Sequence, residues 1–162
     1  MQTPLDGRTL LALVRHGRTD WNAQNLMQGR TDRPLDEEGW ADADRVATVL
    51  AGVRPDWGGV VTSPLRRAVQ TGERIAASLG VPSFPPVEDL AERAFGQVEG
   101  MDMGAVKARY PDGVYPGAEP RDEATARGLR GLTEVADRYA GDDGALVVVS
   151  HGVLPMPAIV LA

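Results

Sequence analysis

The chain has no cysteine, which excludes disulfides, thiolate zinc sites and a cysteine nucleophile and is compatible with a reducing cytosol. It also lacks a surplus of basic charge: 17 Lys and Arg against 23 Asp and Glu leave a formal net charge of -6. A phosphate polymer needs a broad basic face, so nucleic acid is not an expected partner, whereas a small anion needs basic residues at one place only. No apolar stretch suits a membrane span. The run at residues 10–14 stops at Arg15 and is too short and wrongly flanked for a signal peptide, so a soluble, cytoplasmic protein without a membrane partner is expected. Internal repeats and low-complexity tracts are absent. With 162 residues, 43% of them hydrophobic, the chain suits one compact domain over 1–162.

Local patterns predict alternating strands and helices. Residues 9–14 read as a buried strand, and residues 34–39 open a helix with an acidic first turn that runs to about residue 50, its stripe made by Ala41, Val46, Val49 and Leu50. Residues 58–62 are a second strand candidate. Ser63-Pro64 then reads as a helix start, serine as N-cap and proline at the first helical position, with the helix stopping at Gly80. Residues 82–86 are extended, 90–100 a loop, 101–110 a short helix and 111–120 a loop rich in proline and glycine. A helix is expected over 121–139 despite Gly128 and Gly131, and a last clear strand over 145–149. The alternation predicts an α/β fold, a three-layer sandwich with a mostly parallel central sheet and helices on both faces.

The only two histidines follow the first and last of these strands, in Arg15-His16-Gly17 and Ser150-His151-Gly152. A strand that ends in an imidazole and a glycine delivers a nucleophile or base to the sheet rim, and the glycine permits close approach of other backbone or a ligand. Two such endings suggest one shared site. Arg15, His16 and Asn22 combine fixed positive charge, a titratable nitrogen and a neutral hydrogen-bonding group, a set suited to a tetrahedral oxyanion. Arg66 and Arg67 fall in the first turn of the helix after Ser63-Pro64. A cation there opposes the helix dipole and is better explained by an anionic ligand than by helix stability. Glu92 and Glu99 share the 90–100 loop, where for Glu99 a solvated carboxylate and a functional one are equally good readings.

Together these segments resemble the histidine phosphatase, or phosphoglycerate-mutase-like, superfamily. In the family's order they are Arg15-His16-Gly17, Gln28-Gly29 with Asp32, Pro34, Leu35 and Gly39, then Ser63-Pro64-Leu65-Arg66-Arg67-Ala68, the loop from Glu92 to Glu99-Gly100, Pro116-Gly117-Ala118-Glu119, and Ser150-His151-Gly152. The resemblance implies a phosphomonoester hydrolase acting on a small phosphorylated metabolite, with His16 as the nucleophile that becomes a phosphohistidine. It implies that Arg15, Arg67 and His151 hold the phosphoryl oxygens and that Glu92 donates the leaving-group proton. Asn22, Gln28 and Gly29 are the implied accessory substrate contacts. No cofactor and no metal are implied, since two arginines and a second histidine supply the charge. A neutral His16 needs its other ring nitrogen anchored on a backbone carbonyl of the Gly17 to Thr19 turn.

Departures from the family pattern qualify these expectations. Arg18 stands where glutamate or glutamine is usual and adds positive charge beside the pocket, Val98 replaces a frequent tryptophan, and Ala118 and Pro120 flank Glu119 in place of glycine and serine. After Gly152 the family continues into a long helix, whereas here ten residues follow, an abbreviated C-terminal part. An edge strand, a truncation and segments joined across missing residues all remain open, and a homodimer could cover the apolar surface so exposed. Two alternatives to hydrolysis accompany this reading. Mutases share the core residues but carry Arg-His-Tyr-Gly after the donor glutamate, where this chain has Arg93-Ala94-Phe95-Gly96, and an inactive member would act as a binding module.

Overall fold

A computed structural model describes residues 9–139, 141, 144–152 and 160–161. Its sheet has the spatial order β2-β3-β1-β4, built from β1 (Thr9–Arg15), β2 (Gly59–Thr62), β3 (Ala145–Ser150) and β4 (Val160–Leu161). β1 and β2 both pair in parallel with β3, whose six residues are all buried. Continuous burial is what an interior parallel strand requires, and it explains the unbroken apolar run at this point in the sequence.

Alternation along β3 divides the core into two layers. Ala145, Val147 and Val149 pack with Ala47 and Leu50 of α2 (Glu37–Val53) and with Ala68 and Ile75 of α3 (Arg66–Leu79). Leu146 and Val148 point the other way, onto Leu132 and Val135 of α5 (Arg121–Tyr139). The expected three layers are therefore present. Between these elements lie a short α1 (Asp20–Ala23) and α4 (Met103–Arg109), the latter contributing Val106 to a third small core with Met27 and Val98. Val98 is thus a packing residue.

Two local expectations are corrected. The buried row of α2 is Ala43, Ala47 and Leu50, while Val49, about 100° around the helix from Leu50, is 65% exposed. α3 begins at Arg66 rather than after Ser63: Leu65 is the extended N-cap residue and makes no side-chain cap, and the Ser63 hydroxyl contacts His151 instead. Gly131, anomalous in a helix by propensity, has a packing reason. A Cβ there would stand 3.0 Å from Leu90 Cδ2 and 3.1 Å from the Asp89 carbonyl carbon, so glycine lets α5 close on that turn.

Val160–Leu161 pairs antiparallel with Leu10 and Thr9 of β1, so this part of the tail forms an edge strand. The other tail positions, Pro155 and Pro157 among them, lie outside the described residues. At the opposite end of β1, the loop after His16 is pressed against the start of α2. A Cβ on Gly39 would stand 2.9 Å from Arg18 N, and one on Gly17 would stand 3.0 Å from the Gly39 carbonyl carbon. This is the close backbone approach expected at Gly17. At Gly152, by contrast, an added Cβ would meet no atom of the described residues within 4 Å, and the residue borders the pocket instead.

Gly39→Ala should therefore lower stability by about 1 to 2 kcal/mol, because overpacking rigid backbone outweighs a helix-propensity gain of at most about 1 kcal/mol. Gly52→Ala, near the other end of the same helix and with no neighbour within 4 Å among the described residues, should be neutral or stabilising. Urea unfolding of the two variants reads the difference, and equal behaviour would remove the steric role of Gly39.

Candidate active site

The parallel register pairs Arg15 with Ser150, so β1 and β3 end together and bring their following residues side by side. His16 and His151 consequently meet with ring centroids 5.1 Å apart, both buried, at the carboxyl edge where open α/β sheets bind ligands. The His16 backbone N–H donates to Ser150 O at 3.0 Å, locking the two strand ends to each other. Its ring is oriented from one side by Nδ1, 2.7 Å from Gly17 O, which is the backbone anchor expected from the sequence. Burial, with Arg67 and Arg15 adding to it, lowers the His16 pKa from 6.5 to about 3.

Arg67 occupies the second helical position of α3 and is 1% exposed. Its Nε donates to His16 Nε2 at 3.2 Å, Nη2 to Gly29 O at 2.8 Å and Nη1 to Thr31 O at 3.0 Å. Arg66 stays exposed, its backbone N–H donating to Asp32. Helical rotation between adjacent residues explains why only one arginine enters. Arg15 borders the same pocket, and its guanidinium makes no hydrogen bond to a described residue. His151 Nε2 lies 2.7 Å from Ser63 Oγ, and His151 Nδ1 is buried without a partner among the described residues. Burial drives the His151 pKa well below 6.5.

Glu92 lines the same cavity, close enough for the charges of Arg67 and Arg15 to act on it. Burial raises its pKa, although the Arg93 N–H at 2.9 Å from Oε1 and the charges of Arg67, Arg15 and Arg127 act against that. Asn22 closes a capping box with Thr19, and its Nδ2 has no described acceptor. Gln28 Oε1 accepts from Thr19 Oγ1 at 2.9 Å. Gly29 has φ +53, and a Cβ there would stand 2.6 Å from Glu99 Cδ, so the left-handed turn and the crowding both demand glycine. Seven of the eight residues singled out by sequence thus line one cavity of about 510 Å³, and the eighth, His151, packs beside His16.

Glu99 fits neither of its two sequence readings. Its carboxylate accepts from the N–H groups of Arg30, Thr31 and Phe95 and from the Thr31 hydroxyl, tying the Gly29 loop to the Glu92 loop. Arg127 carried no signal in the sequence. From α5 it donates to the carbonyls of Asp89 and Ala91 at 2.8 and 2.9 Å while its fork binds the Glu119 carboxylate, so it shapes the turn that presents Glu92. Only the packing of α5 on that turn reveals it. Arg18 adds less charge than its sequence position suggested, because its guanidinium is paired with Asp36 at 2.8 Å.

Residues 11–159 match the family model of the histidine phosphatase superfamily (branch 1). The chain belongs to that superfamily. Among curated relatives of this histidine phosphatase is the uncharacterized phosphatase PhoE of Bacillus subtilis, 39% identical over 144 residues, which cover 89% of this chain and 72% of PhoE. A 2,3-bisphosphoglycerate-dependent phosphoglycerate mutase of Corynebacterium glutamicum is 41% identical over 109 residues, 65% of this chain and 43% of the mutase. Among solved structures, the mycobacterial glucosyl-3-phosphoglycerate phosphatase in complex with VO3 superposes with a TM-score of 0.76 at 28% identity, covering 88% of this chain and 76% of that one. Phosphatases and mutases thus both stand among the relatives. The structure adds that no described helix is long and apolar enough to cross a membrane.

The buried imidazoles set the sign of acid sensitivity. His16 is neutral when folded and titrates near 6.5 when unfolded, so its contribution is complete above pH 6.5 and is lost as pH falls toward about 3. His151 acts in the same sense. Glu92 opposes them, because a carboxyl raised by burial stabilises the fold at low pH and loses that contribution as pH rises through its folded value. Unfolding at pH 5 should take up nearly one proton fewer in His16→Asn than in the parent, a slope change of about 1.4 kcal/mol per pH unit. Urea titrations at pH 4.5 to 6.5 measure it, and parallel slopes would contradict a neutral buried His16.

Proposed function

We propose that this histidine phosphatase hydrolyses small phosphomonoesters without a metal, through a phosphohistidine on His16. The observation that carries the reading is the disposition of the His16 ring: Nδ1 donates to Gly17 O, and the Nε2 lone pair accepts from Arg67 at the pocket floor. An imidazole kept neutral by burial is nucleophilic at any physiological pH. In-line attack forms the Nε2–P bond as the bond from phosphorus to the leaving oxygen breaks, and Glu92 supplies the proton that oxygen takes. Arg15 and Arg67 neutralise the equatorial oxygens and His151 hydrogen-bonds to one of them, which is most of what phosphoryl transfer asks of a protein. With Ser63 donating to His151 Nε2, the proton sits on Nδ1, the atom without a described acceptor and available to a phosphoryl oxygen. Water then attacks phosphorus, gives its proton to the Glu92 carboxylate and displaces His16, releasing inorganic phosphate.

Two features support the finer parts of the proposal. The arginines around His16 would repel a cation, which supports metal independence. Hydrolysis over mutase transfer is supported by Ala94 and Phe95 in place of the mutase His-Tyr pair. The deciding experiment is rapid quench with a labelled phosphomonoester in excess chelator. An acid-labile phosphoenzyme and released phosphate are expected from the parent, and neither from His16→Ala. Label that persists in the variant would move the nucleophile elsewhere, dependence on added metal would overturn the metal-free reading, and isomerisation of a monophosphoglycerate without phosphate release would favour the mutase.

The protonation state of Glu92 yields a second test. A sugar alkoxide needs a proton to leave and p-nitrophenolate hardly does, so Glu92→Gln should lower kcat/KM, which reports phosphoryl transfer to His16 and not the later attack of water, by about 10²-fold or more on alkyl phosphates and far less on aryl phosphates. Because the acid form is required, parent activity on alkyl phosphates should fall as pH rises through the elevated Glu92 pKa, and that limb should vanish in the variant. Equal damage to both substrates would remove Glu92 from the proton-donor role.

A further inference from the structure

The cavity over His16 is built for more than a phosphoryl group. Its volume of about 510 Å³ is that of a site for a drug-sized ligand. Five cations line it, Arg15, Arg67, Arg93, Lys107 and Arg121, against one carboxylate, Glu92. On the phosphomonoester reading, which this inference rests on, a phosphoryl dianion matches Arg15 and Arg67, the two arginines whose charge acts on His16, while Glu92 enters as the neutral acid. Three cations remain unmatched.

Arg93 has an internal explanation. Its guanidinium lies over the Phe95 and Tyr115 rings at 5.7 and 5.4 Å, and its Nε donates to Glu119 O at 2.7 Å. Lys107 and Arg121 form no ion pair with a described carboxylate. Lys107 sits in the last turn of α4, where a cation suits the dipole, but Arg121 opens α5, where it does not. Arg121 therefore gains nothing from its own helix. The wall of the same cavity also carries Leu26, Met27, Phe95, Met103 and Tyr115, an apolar and aromatic surface suited to carbon rather than to water. Glu119, the acidic residue nearest in sequence to Arg121 on its N-terminal side, is already neutralised by Arg127 at 2.9 Å.

We propose that the pocket selects phosphomonoesters whose leaving group carries a second anionic group beyond an apolar or aromatic spacer, with Lys107 and Arg121 receiving that anion. Both side chains are exposed, so each contact contributes up to about fivefold in affinity and is screened by salt. The pair acting together gives about a tenfold preference.

The test compares 4-(2-carboxyethyl)phenyl phosphate with its primary amide, equal in size and leaving-group basicity, and 1,6-hexanediol bisphosphate with 6-hydroxyhexyl phosphate. In the parent, kcat/KM should favour the acid or the bisphosphate by about tenfold, mainly through KM, and the arm that responds identifies the anion as carboxylate or phosphate. The ratio should fall toward one in the Lys107→Gln, Arg121→Gln double variant, return in Lys107→Arg with Arg121→Lys, and shrink with added salt. Ratios near one in the parent for both pairs, or a ratio unchanged in the double variant, would overturn the proposal. A chain that hydrolyses none of the four compounds counts against the phosphatase reading instead. Calorimetric affinities of the same pairs then decide this one, with a tenfold difference supporting it and equal affinities overturning it.

Discussion

The Arg67 guanidinium is the contact on which the site depends. A cation almost wholly removed from water is costly unless its donors are satisfied. Three partners do this here: the Gly29 and Thr31 carbonyls and the His16 ring. Each partner belongs to a different segment from Arg67 itself, so the ion holds β1, the Gly29 loop and the start of α3 in one arrangement. The same burial keeps His16 neutral, since a second positive charge beside Arg67 would be worse still. Structural and chemical requirements coincide at one residue.

Around it, two charged side chains outside the cavity over His16 hold the loops that regular secondary structure leaves free. Glu99 accepts four hydrogen bonds and fixes the Gly29–Thr31 carbonyls at which Arg67 aims. Arg127 gathers the carbonyls of the turn from Asp89 to Ala91 and so sets where Glu92 enters the cavity. Neither lines that cavity, yet both add cross-links to the loops that do. The third small core, Met27, Val98 and Val106, supports Phe95, Met103 and Tyr115, which with Met27 line the cavity.

The electrostatics of the molecule run against its composition. A chain with net charge -6 concentrates cations in one cavity while its carboxylates pair with arginines over the surface, as in Arg45 with Glu38 and Arg74 with Asp44. Focusing of this kind attracts small anions without creating the broad basic face that a nucleic acid would need.

The sequence by itself determined the three parallel strands, most bounds of the longer helices and the set of residues that meet around one cavity. These features rest on local physics: the all-apolar run of β3, Gly80 in the left-handed conformation at the end of α3, and histidine placed one residue beyond a strand. It misjudged Val49 and the start of α3, where the direction of a stripe and the use of the Ser63 hydroxyl depend on what lies opposite. Tertiary structure alone decided which carbonyls satisfy the buried Arg67 fork, that Glu99 is a clamp, and that Arg127, 35 residues from Glu92, shapes its loop. It also set Lys107 and Arg121 on the rim of the same cavity. Charges gain their roles from partners distant in sequence, and a one-dimensional pattern carries no record of which loops the folded sheet brings together.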